Sequence, residues 1–359
     1  PTGVSLASQS EDYSPWGYLW PRFWLPFVAW DDLGVYVSAL TQGSDPLGKH
    51  IYSLSAQYDS AIQRGSYLAS YTNQSFYPVI SITSYDQSLQ MATRGQYSRV
   101  YSTSFVSYWT MENQSPYWTV GFGGGQGGNE RFGQNIERTY ARFATTYRNA
   151  FQYGDQISPE SGWVGSLSYV PGKLKDLNRI VHVAEASGAY YFSRWLPKRH
   201  VLMLKGQART SDEPWNVSTM DQSVANQTTS NSLIPQYLNR GFSSGSLMGR
   251  NILGINAEYR LPFGRLDKGF DGYPFYAHRW HGAIVADGTF VDGLIYDEKS
   301  TPMTYRRSEG TGYWSAGFET RFDVNVGYHF PVQFGFGIYM PFANPYTESV
   351  PRMGGFLIL

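Results

Sequence analysis

The chemistry this chain could do centres on one guanidinium and one carboxylate. Arg240-Gly241-Phe242 stands near the end of a long polar stretch, about residues 211 to 248, between two alternating segments at 199–210 and 249–263. A polar loop of that length inside a compact β protein is usually either functional or disordered. Along 275–289, Arg279, His281 and Asp287 share one face, and Trp280, Gly282, Ile284 and Ala286 share the other. A carboxylate held on an inner face is costly unless it is hydrated or paired. Arg240, carried inward on its loop, would supply a bidentate partner, and Gly241 would let the backbone turn tightly beside it. On these residues alone two readings stand: Arg240 paired with Asp287, or Arg240 on an exposed loop with Asp287 simply hydrated. Direct pairing predicts that exchanging the two charges restores part of what Arg240→Ala loses.

Other chemistries find little to stand on. Gly121 to Gly133 is rich in glycine like a phosphate-binding loop, but it lacks the following helix and the Lys-Ser/Thr pair that phosphate chemistry requires. It reads as a flexible loop after a strand. The six histidines show no i,i+4 pair and no clustered ligand spacing, so no metal is expected. Helical periodicity is absent, so the strand-to-helix turn that makes a Gly-x-Ser-x-Gly serine a nucleophile is not expected, and with it no enzyme, cofactor or catalytic residue.

The elements that must position these residues are strands. Strict period-2 alternation dominates and is cleanest in the C-terminal half. In 251–263 one face reads Leu253, Ile255, Ala257, Tyr259, Leu261, Phe263, against Ile252, Gly254, Asn256, Glu258 and Arg260. In 312–326, Trp314, Ala316, Phe318, Phe322, Val324 and Val326 oppose Tyr313, Ser315, Glu319, Arg321, Asp323 and Asn325. From 330 to 342 the apolar face is Phe330, Val332, Phe334, Phe336, Ile338, Met340 and Phe342. Glu258, Arg260, Arg279, His281, Glu319 and Arg321 therefore make a candidate network on the polar side. Candidate strands fall near 22–30, 33–43, 48–59, 64–73, 77–86, 97–111, 116–126, 138–152, 162–171, 181–194, 199–210, 249–262, 275–289, 311–325, 330–341 and 352–359. That is about sixteen, an even number, at lengths a tilted membrane strand needs or somewhat longer.

Alternation alone is shared with a soluble sandwich. Two features favour a membrane barrel: charges in mid-strand on the polar faces, as a wet lumen permits, and aromatic residues at the segment ends. Composition agrees. Aromatic residues are 17% of the 359, charged residues only 16%, and the 28 basic and 28 acidic residues cancel. Soluble domains usually carry about a quarter charged residues. With no basic stripe, nucleic acid is not an expected partner. There is no cysteine, hence no disulfide or thiolate site. No run of about 18 apolar residues offers a transmembrane helix. The reading is one all-β domain over 1–359: a transmembrane antiparallel barrel of about sixteen strands with a long loop folded into its lumen. Residues 1–21 form an entry segment ahead of the first strand.

At Arg240-Gly241-Phe242 the chain resembles the BamA superfamily of outer-membrane assembly and translocation barrels, which carries an apolar-Arg-Gly-aromatic motif in its sixth extracellular loop. Asn239 takes the apolar position here. The stretch Asn256 to Phe263 looks like the family's next strand. Asp287-Gly288 resembles its partner motif, with Val285 and Ala286 where aromatics are commoner. Asp45-Pro46-Leu47-Gly48, Tyr71-Thr72-Asn73 and Ile157-Ser158-Pro159-Glu160 look like features of family barrels that follow a TolB-like propeller. The resemblance implies a loop-to-lumen lock of Arg240, Gly241, Phe242, Asp287 and Gly288. It implies that the first strand closes beside the last, both termini periplasmic, along a seam weakened at Gly354, Gly355 and Phe356. It also implies insertion of outer-membrane proteins or polypeptide translocation, with residues 1–21 as a periplasmic entry segment and with outer-membrane lipids, client polypeptides and an upstream periplasmic domain before Pro1 as partners. The alternative is a passive channel or an anchor for that domain.

Overall fold

The computed structural model describes residues 13–30, 35–90, 97–111, 117–131, 134–153, 156–175, 178–212, 239–242, 247–270, 273–297, 299, 304–326 and 330–358. Sixteen strands follow one another in chain order, each antiparallel to the next. They are β1 (Leu25–Trp30), β2 (Val35–Ser44), β3 (His50–Asp59), β4 (Arg64–Asn73), β5 (Val79–Gln90) and β6 (Tyr97–Thr110). Next come β7 (Tyr117–Arg131), β8 (Gln134–Arg148), β9 (Gly162–Leu174), β10 (Arg179–Phe192) and β11 (Val201–Ser211). The last five are β12 (Leu247–Phe270), β13 (Tyr273–Asp297), β14 (Thr304–Val326), β15 (Phe330–Pro341) and β16 (Arg352–Ile358).

The alternation read from the sequence sorts the faces. On β14, Phe318 is 45% exposed on the outer face while its neighbour Glu319 is 0% exposed on the inner. Leu253, Ile255, Ile284, Phe336 and Ile338 join Phe318 outside, and Asn256, Glu258, Arg260, Asp287 and Arg321 are buried inside. The polar residues are thus sealed and the large apolar ones exposed, the inverse of a soluble sheet. An even strand number brings both ends of the chain to one rim. That rim carries exposed aromatics in its turns and strand starts: Trp20, Tyr77, Trp118, Trp163 and Trp195.

Three expectations change. The stretch from Gly121 to Arg131 lies inside β7 rather than in a loop, paired on both sides. Its glycines are packing devices: a Cβ on Gly123, Gly125 or Gly127 would come within 2.3 Å of a carbonyl oxygen of β6, so only glycine permits this approach of the two backbones. Strands β12, β13 and β14 run 24, 25 and 23 residues, well past the expected segments. Their register slips between Gly249 and Asn251 and between Pro262 and Gly264, where bulges break the period that sequence reading relies on. Finally, the closing pair expected between β1 and β16 is not seen among the described residues, where no ladder joins them. At six and seven residues these are the shortest strands of the sheet, and Gly354-Gly355 weakens the last one.

Candidate functional site

The site is built by register. Across β11, β12, β13 and β14 the inner-face residues fall in rows: Lys205, Asn256, Asp287, Ser315 in one, and Val201, Arg260, Ala283, Glu319 in another further down the strands. Between them lies the row of Met203, Glu258 and Val285. Three carboxylates, on β12, β13 and β14, are thereby brought around one point although Glu258 and Glu319 lie far apart in the sequence.

Arg240 occupies that point. Its Nε donates to Asp287 Oδ2 at 2.8 Å and its Nη2 to Asp287 Oδ1 at 2.6 Å, a bidentate fork. Its Nη1 donates to Glu258 Oε1 at 2.7 Å and to Glu319 Oε1 at 2.8 Å. Even its backbone N–H donates to Asp287, at 3.0 Å. The side chain is 4% exposed, so the pairing is sealed from solvent and is screened far less than a surface pair. Arg260 Nε and Arg321 Nη2 hold the far oxygen of Glu258 at 2.8 and 3.2 Å, and Arg321 also binds Glu319. Asn256 Nδ2 donates to Asp287 Oδ1 at 2.9 Å, and Tyr339 Oη on β15 donates to Glu319 Oε1 at 2.7 Å. Three guanidiniums thus face three carboxylates, the balance a buried ionic cluster needs.

The residues beside Arg240 explain how it is held. Asn239 Nδ2 donates to the carbonyl of Tyr313 at 2.9 Å, and its Oδ1 accepts from Ser315 Oγ at 2.7 Å. The departure from an apolar residue at 239 therefore supplies a polar clasp. A Cβ on Gly241 would sit 2.3 Å from that of Ser315, so glycine is required by the close approach. Phe242 packs with Leu247, Val291, Ile295 and Tyr313, its ring centroid 5.8 Å from that of Tyr313.

Some expected members lie elsewhere. Gly288 is on the outer face, under the ring of Trp314, and takes no part in the lock. Arg279 and His281 form a second cluster nearer the terminal rim. There Arg279 Nε meets Asp323 Oδ2 at 2.9 Å, His281 Nε2 meets Asp323 Oδ1 at 3.2 Å, and Gln333 Nε2 donates to that same oxygen at 2.8 Å. Arg279 also donates to the carbonyl of Gln156, tying the β8–β9 connection to the inner wall, where Ile157 and Ser158 are buried. In β16, Gly354, Gly355 and Phe356 pair with Gly337, Phe336 and Gly335 of β15. Sequence reading missed Lys205, Asn239, Asn256, Ser315 and Tyr339. Their alternation placed several of them inward, but which strand residue meets which depends on register.

BamA from Haemophilus ducreyi lacking POTRA domains 1–3 superposes with a TM-score of 0.59 at 12% identity, over 93% of this chain and 69% of that one. CdiB from Acinetobacter baumannii gives 0.57 at 13% identity over 93% and 58% of the two chains. CdiB from Escherichia coli gives 0.57 at 11% over 93% and 61%. The chain has the fold of the BamA and CdiB barrels. It spans less than two thirds of either CdiB. No protein-family model and no curated protein matches the sequence itself.

Proposed function

We propose that this chain is a bacterial outer-membrane barrel of the BamA type that inserts outer-membrane proteins or translocates polypeptides, with the Arg240 segment as its lumen plug. The observation that carries this reading is Arg240 itself, a loop residue inserted among three strand carboxylates in a fold shared with BamA and CdiB. The outer face supports a lipid setting: Leu253, Phe318, Phe336 and Ile338 stand exposed where hydrocarbon would cover them. The aromatics at the terminal rim suit an interfacial belt, on the side we take as periplasmic. An upstream domain would deliver clients there. No catalysis is involved; the work is mechanical, an edge strand of β16 offering main-chain hydrogen bonds to an incoming strand.

The absence of cysteine makes the test clean. Cysteine pairs placed along β1 and β16 are oxidised in cells, and client insertion or export is followed before and after reduction. Arrest under the crosslink and recovery on reduction support the proposal; client assembly that continues unchanged sinks it. A large open conductance, with other barrels unaffected by depletion of this chain, would leave a channel or an anchor instead.

A further inference from the structure

Among the described residues, the charges around the lock leave one cation over. Arg240, Arg260 and Arg321 are matched by Glu258, Asp287 and Glu319. Lys205 stands beside them on β11, 3% exposed, and its Nζ has no hydrogen-bond partner among the described residues. It lies in the field of Glu258, Asp287, Arg240 and Arg260. An unpaired buried ammonium is expensive to keep, and a methionine or leucine would fill the same space without that cost. Its position says what a lysine there can do. Lys205 is the cross-strand partner of Asn256, which is in turn the partner of Asp287. Two strand spacings, about 10 Å between Cα atoms, separate Lys205 from Asp287, a gap that a lysine and an aspartate side chain together can bridge.

What stops it is Arg240. Both oxygens of Asp287 are taken, Oδ1 by Arg240 Nη2 and Asn256 Nδ2, and Oδ2 by Arg240 Nε and its backbone N–H. Among the six charged members of the lock, Arg240 alone comes from outside the strands. It can leave without breaking a ladder. Its departure would strand three carboxylates against two guanidiniums in a sealed wall, unless another cation moved in.

We propose that Lys205 is that cation: when the Arg240 segment leaves the lumen, Lys205 turns along its row to Asp287 and keeps the wall neutral. The spare charge destabilises the locked state slightly and stabilises the unlocked one, which brings the two closer in free energy. A loop that must leave and return gains from this, since a lock opposed by an unbalanced carboxylate would not open. The inference needs only that the loop can leave, and does not depend on what the barrel does with clients.

The experiment uses the full chain in detergent micelles, with Lys205→Met, Lys205→Arg and Arg240→Ala alone and combined. Lys205→Met should raise the melting temperature when Arg240 is present and lower it in the Arg240→Ala background, a reversal of sign. A shift of the same sign and size in both backgrounds overturns the proposal. A second readout does not depend on folding yield. With Phe242→Cys as a maleimide target, Lys205→Met should slow labelling about tenfold, the size of an ordinary coupling, and Lys205→Arg should leave it close to the parent rate. Labelling that ignores Lys205 altogether would show a bystander and sink the idea.

Discussion

Arg99 and Arg240 do the same chemistry in two settings. Arg99, on β6, makes a fork to Asp86 at 2.8 and 2.5 Å and reaches Glu130 at 3.6 Å. Its side chain is 32% exposed. It lies in a half of the sheet held by short strands, hydroxyl pairs such as Thr72–Ser81 and Ser84–Thr103, and guanidinium-on-ring contacts such as Arg64 over Tyr97. Arg240 meets three carboxylates at 4% exposure, on the longest strands of the molecule. The difference is one of solvent and of reach. Water and salt can replace Arg99, and its partners are near neighbours on adjoining strands. Neither can reach the place of Arg240, whose partners belong to three strands that it bridges from outside the sheet.

The largest effect should come from Arg240→Ala. Removing one side of a sealed ionic cluster costs about 3–5 kcal/mol, read as a fall in the melting temperature of the detergent-solubilised barrel, and high salt should not erase it. Full stability in that variant would place Arg240 with Arg99 rather than against it. Next is the charge exchange, Arg240→Asp with Asp287→Arg. A simple pair would recover part of the loss, but the aspartate introduced on the loop would here face Glu258 and Glu319. We expect the double variant to melt close to Arg240→Ala, without useful recovery; recovery would mean that Asp287 is the only partner that matters. Gly241→Ala should cost about 1–3 kcal/mol by overpacking against Ser315, and Ser315→Gly should return part of it in thermal melts. Arg99→Ala should be smallest, under about 1 kcal/mol and vanishing in about 1 M salt. A cost that survives high salt would erase the contrast between the two halves.

How much of this was legible follows from what period and register can carry. The segments 64–73 and 330–341 coincide end to end with β4 and β15, because unbroken alternation between clear turns leaves one solution. The ends of β12 to β14 were not legible, since bulges at Gly249 and Pro262 shift the phase. The glycines of β7 misled for a different reason. Glycine is equally the mark of a loop and of two backbones in close contact, and only the neighbouring strand decides. The pairing of Arg240 with Asp287 could be drawn from side-chain chemistry together with a family resemblance. Glu258 and Glu319 could be placed inside but not assigned to Arg240, because the cross-strand rows that converge them are written nowhere in a single segment. Lys205 was the least visible: a lysine in an alternating strand looks ordinary until its partners are counted.

Tyr339 links the plug to the rim of the sheet. Its hydroxyl holds the same Glu319 oxygen that Arg240 holds, and its backbone pairs with Arg352 at the start of β16. Two side chains, Glu319 and Tyr339, therefore stand between the guanidinium and the outermost ladder. When the arginine lets go, Glu319 is free to pull differently on β15, and the strand most able to feel that tug is the one with no neighbour beyond it among the described residues.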